Sequence, residues 1–166
     1  KESFYLYRVH QKSIGWSEWA NNGEWAGTTG KGLQMEALEI KKSMFSVEPH
    51  VQSKGWLPPK AAEKVIGITG HALRLEAIRI NPYGKTIKAK VHIQSKGWVD
   101  YGMITKDTII GTVGEKKRIE CLCFEGDFEY RVHIQNSGWT DWTRADGVAT
   151  LGTVGQELRI EAIQFR

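Results

Sequence analysis

Four histidines stand six residues ahead of four tryptophans: His10 and Trp16, His50 and Trp56, His92 and Trp98, His133 and Trp139. Each tryptophan follows a glycine, and a Gly-x-x-Gly segment comes later, at 27–30, 67–70, 111–114 and 152–155. Six residues beyond the second glycine of each segment lies Glu36, Glu76, Glu120 or Glu161. Histidine with glutamate is an acid–base pair, four imidazoles could hold a metal, and glycine loops can cradle phosphate. The spacing disfavours all three. Catalysis needs one converging constellation rather than four near-equal ones. No His-x-x-His or Cys-x-x-Cys spacing supports a metal, and no helical pattern or Lys-Ser/Thr follows the glycines. A His–Glu hydrogen bond tying the first strand of a unit to its last accounts for the recurrence without a substrate. No catalytic residue, metal ligand or cofactor is therefore expected.

The aromatic residues carry a stronger signal. Seven tryptophans are present, and rings beside polar groups suit sugars, whose C–H faces stack on a π surface while hydroxyls take hydrogen bonds. Trp16, Trp56, Trp98 and Trp139 could equally fill the core of their own units. Three residues further on stand Trp19, Pro59, Tyr101 and Trp142. A core position tolerates such variation in size and shape poorly, so Trp19, Tyr101 and Trp142 are the better candidates for exposed ligand contacts, and the second copy for a weak or silent site. Gln52, Gln94 and Gln135 share a strand face with the histidines and could read hydroxyls.

These residues are positioned by a repeat, since the tryptophan spacings are 40, 42 and 41 residues. The copies run approximately over 4–42, 45–82, 86–125 and 128–166, one repeat domain over 1–166. Each opens with period-two alternation, as in Tyr130, Val132 and Ile134 against Arg131, His133 and Gln135, which predicts a strand. Each closes on a second strand-like segment such as "LRIEAIQF", where the alternation slips at the Glu-Ala or Glu-Cys step; a bulge or burial of both faces would reconcile it. The connections 41–44, 81–85 and 125–127 have turn chemistry. Helical periodicity is absent. The expected fold is all-β, four repeats closed in a pseudo-fourfold, propeller-like assembly; a β-trefoil-like arrangement is the alternative, needing three units and leaving one over.

A hydrophobic share of 40% in 166 residues can build a core without disulfides or metal. Cys121 and Cys123, two apart on one strand face, are expected as free structural thiols. A net charge of +4 with no basic run argues against nucleic acid, and the absence of a long apolar run against membrane insertion. The chain opens at Lys1 without a charged-then-apolar leader, as a mature or excised piece of a longer protein would.

His-x-Gln, the following Gly-Trp, Gly-Thr-x-Gly and a closing Arg-x-Glu-Ala-Ile together resemble the ChW repeat, the clostridial hydrophobic repeat with a characteristic tryptophan. The resemblance covers the whole chain as four units and is clearest in "HIQNSGWTDW…GTVGQELRIEAI". It implies a secreted or cell-surface, non-catalytic module of Gram-positive bacteria, used in adhesion or in binding wall glycans. The expected partner is bacterial cell-wall polysaccharide or another glycan, bound through several weak equivalent sites. A protein-binding adhesion module acting on surface proteins is the alternative.

Overall fold

In the computed structural model, which describes residues 4–166, the chain is all-β, with antiparallel strands and no helix among the described residues. Within each copy the opening strand pairs with the closing one: Tyr5–Gln11 with Met35–Lys42, Ser46–Val51 with Leu75–Asn81, and Lys88–Ile93 with the first half of Ile119–Ile134. The second half of that long strand opens copy four and pairs with Ile160–Phe165. The turn expected at 125–127 is thus not formed. Gly126 lies within the extended strand, and the register slips locally between Glu125 and Glu129.

The slip of alternation in the closing strands is resolved by both expected devices. Opposite the step from His50 to Val51 the partner skips from Ala77 to Leu75, and Glu76 is the extra residue of a β-bulge. The same bulge occurs at Glu36, Glu120 and Glu161. In copies two to four the closing strand is also buried on both faces, as Leu75, Ala77, Ile78 and Ile80 show.

Pairing between copies decides the architecture. Ile110–Gly111 of copy three adds to the closing strand of copy two, and Leu151–Gly152 of copy four to that of copy three. Ile66–Gly67 of copy two adds to that of copy four, so the pairing returns to its start. Three copies are joined in a cycle and copy one is outside it. This corrects the fourfold closure expected from four repeats and has the unit count of the trefoil-like alternative.

The joints are tight because the glycine strand crosses directly over a backbone. A Cβ on Gly111, whose φ is +112°, would lie 2.3 Å from the carbonyl oxygen of Glu76. The three joined copies share one core, in which Phe45 packs 5.0 Å from Phe165 and 5.3 Å from Phe128 in edge-to-face geometry. Copy one is held by a separate small cluster, Phe4 and Leu6 with Trp19 on Ala61 of copy two. The Lys64 ammonium adds a hydrogen bond to the Trp19 carbonyl and an ion pair to Glu24.

Candidate carbohydrate-binding site

The opening strand of each copy turns back through a three-residue loop into Gly-Trp, placing His10 opposite Trp16, His50 opposite Trp56, His92 opposite Trp98 and His133 opposite Trp139. The hairpin needs two left-handed residues. Ser13, Ser53, Ser95 and Asn136 supply one, and the glycine before each tryptophan the other. Each histidine ring stands edge-on to its tryptophan, with centroids 5.3, 5.2, 5.5 and 5.3 Å apart from the first copy to the fourth.

Behind this pair the bulge turns the glutamate towards the histidine. Nδ1 and Oε1 are 3.0 Å apart for His10–Glu36, 3.1 Å for His50–Glu76, and 3.0 Å for both His92–Glu120 and His133–Glu161. In copies two to four the other carboxylate oxygen accepts a hydrogen bond from Nε of Arg74, Arg118 or Arg159 at 2.7, 2.7 and 3.0 Å. Copy one has Gln34 in that place and lacks the arginine. The His–Glu contact recurs in all four copies, but it has hydrogen-bond geometry only for His10–Glu36 and His92–Glu120. Nδ1 of His50 and His133 lies within ion-pair distance of its glutamate without a hydrogen bond, so the hydrogen-bonded tie expected from the fourfold recurrence forms in two copies. Among the described residues no three His, Cys, Asp or Glu side chains gather to hold a metal.

The repeat tryptophans do not enter the core. Trp16 and Trp98 are 44% and 45% exposed, and Trp56 and Trp139 are half-buried. Guanidinium groups lie over most of these rings: Arg8 over Trp16, Arg79 over Trp56 and Arg131 over Trp139. Trp98 has no cation stacked on it among the described residues, and is the repeat ring with the freest face.

The residues expected as exposed contacts are placed otherwise. Trp19 and Trp142 are half-buried, the first against Arg8 and Lys41, the second against Arg131 and Arg166. Tyr101 is not the exposed ring expected. Its hydroxyl accepts from the Gly111 amide at 3.0 Å, and its ring packs on the core. At this position Trp19 and Trp142 lie against cations, Tyr101 bonds to the Gly111 backbone, and Pro59 is exposed. The carboxamide oxygens of Gln52, Gln94 and Gln135 accept the Arg74, Arg118 and Arg159 amides at 3.2, 3.2 and 3.3 Å. They clamp the hairpin to the closing strand.

Sequence reasoning missed the cavities between copies. One of about 540 Å³ is lined by His50, Gln52, Arg74 and Glu76 together with Val113 and Lys116 of the next copy. Its counterpart at the following joint, about 340 Å³, is lined by His92, Gln94, Arg118 and Glu120 with Val154 and Glu157. The same residue types meet the end of the neighbour's Gly-x-x-Gly segment in both. No repeat shows such a site by itself, because half of its wall comes from another copy.

Fold and site together define a tandem-repeat β protein that presents tryptophans and arginines on its surface and polar cavities at its joints. The Clostridial hydrophobic W (ChW) pattern matches residues 10–42, 50–82 and 133–166, more than half of the chain, and the protein belongs to the ChW family. Copy three is not matched, yet it keeps the His–Glu contact, the hairpin and the joint. No curated protein and no solved structure matches the chain.

Proposed function

We propose that the protein is a non-catalytic, extracellular carbohydrate-binding module that engages bacterial cell-wall polysaccharide or another glycan through several weak equivalent sites. The observation that carries this reading is the surface position of the repeat tryptophans. Four rings are held at one offset by hairpin, histidine and bulge outside the core. Trp16 and Trp98 are the exposed ones, and Trp98, with no cation over it among the described residues, is best suited to stacking on a sugar C–H face. The neighbouring cavities offer histidine, glutamine and arginine donors for hydroxyls. Both carboxylate oxygens of Glu76, Glu120 and Glu161 are engaged, which favours binding over acid–base chemistry. Membership of the ChW family is consistent with display at the cell surface.

The test is binding of the chain to purified wall polysaccharide by calorimetry, with Trp98→Ala as the variant, since that ring is 45% exposed. Loss of one stacking contact predicts affinity lower by roughly 2- to 10-fold at that site. Absence of binding to every wall glycan on a broad array would overturn the carbohydrate reading. The Trp142–Arg131–Arg166 cluster has the composition of a protein hot spot, so binding to a surface protein, lost in Trp142→Ala, would instead identify an adhesion module.

A further inference from the structure

Copy one carries both halves of the joint that links the other three copies, and in this chain neither half is used. The glycine half is Ala26–Gly27, with Gly27 at φ +97° turned onto Val9 and Gln11 of its own copy. The receiving half is the bulged strand Met35–Lys42, whose Glu36-Ala37-Leu38 corresponds to Glu76-Ala77-Ile78. In copies two and three, Ile78 and Leu122 pair with the residue before the next copy's glycine and are buried completely. In copy one the equivalent face is open: Met35 is 58%, Leu38 55% and Ile40 62% exposed, with Tyr5 beside them. Contiguous apolar faces of this kind mark interaction surfaces.

The chain itself shows what covers such a face, because the equivalent faces are covered three times by the glycine strand of another copy. Each joint is head-to-tail, giving with one half and receiving with the other, and the cycle closes at three. Head-to-tail contacts with a closing rotation form rings. Within these 166 residues three copies are joined to one another and the first is not.

We propose that three chains associate through their first copies, Ala26–Gly27 of each adding to Met35–Lys42 of the next, to form a second three-copy ring and a threefold-symmetric trimer. Among the positions that differ from the intrachain ring, Ala26 stands where Ile66, Ile110 and Leu151 stand, and Gln11 where Val51, Ile93 and Ile134 stand. Less apolar surface is buried at these points, so the second ring is weaker and its assembly depends on concentration. A trimer would also triple the number of surface tryptophans on one particle.

Sedimentation of the whole chain from about 1 µM to about 1 mM reads this directly. The expected result is a shift from a single chain of 18.8 kDa to three times that mass, with no two-chain end state. Leu38→Lys and Ile40→Lys alter side chains exposed in the single chain, so they should leave its folding and melting unchanged and hold it at one-chain mass throughout. A chain that remains single at the highest concentration, an end state of two chains, or a trimer that survives both substitutions would overturn the proposal. Circular dichroism of each variant separates lost association from lost folding.

Discussion

Replacing Gly111 by alanine tests whether the joints hold the three-copy cycle together. The new Cβ would lie 2.3 Å from the Glu76 carbonyl oxygen and 2.8 Å from the Ala77 Cα, and both are backbone atoms of a fully paired strand. Relief requires the glycine strand to back away, weakening the hydrogen bond from the Thr112 amide to the same Glu76 oxygen, now 3.0 Å. The overlap costs about 1–3 kcal/mol as overpacking, and the left-handed φ another 1–2 kcal/mol, for a total of about 2–5 kcal/mol. Gly114, three residues on, is the control: its φ is +78°, but nothing lies within 4 Å of an added Cβ. Gly114→Ala should therefore cost only the backbone share, about 1–2 kcal/mol. Urea unfolding followed by tryptophan fluorescence measures both. Equal losses in the two variants, or a milder effect at Gly111, would refute the tight crossing and with it the reason for a glycine there.

Glu120→Gln should destabilise by about 2–3 kcal/mol, because it removes the charge of a buried carboxylate that pairs with the half-buried Arg118 and His92. Glu36→Gln, where the carboxylate is 42% exposed against 7% at Glu120, should cost about 1 kcal/mol or less in the same unfolding assay. Burial raises the thiol pKa of Cys121 and Cys123, so little thiolate forms near neutral pH. Both should resist a disulfide-exchange reagent in the folded protein at pH 8, and two thiols per chain should react once it is unfolded in urea. Rapid labelling of the folded chain would contradict the packing of that strand.

Much of the site was legible because it is local. The hairpin follows from a serine or asparagine and a glycine at fixed offsets, since each supplies one left-handed residue. The His–Glu contact follows from equal recurrence in every copy, though only copies one and three have it as a hydrogen bond, and the bulge follows from broken alternation at the glutamate. The role of Tyr101 was not legible, because its hydroxyl partner is the backbone of Gly111, which carries no side-chain signature. The cations over Trp19 and Trp142 escaped for a similar reason. Arg8, Lys41 and Arg166 lie far from those rings in sequence or on another strand, and long side chains reach across a sheet.

By itself the sequence determined that the chain is built of β hairpins, that four like units exist, and which residues tie each unit together. Alternation, turn residues and repeat offsets are short-range features written within each copy. Only the tertiary structure decided that three of the four close on one another and that the first does not. Closure depends on backbone pairings between copies, such as Ile110 with Ile78 and Ile66 with Ile163, and such a pairing belongs to no copy alone. Copy one therefore carries the same glycine and the same bulged strand as the others, and still leaves them open.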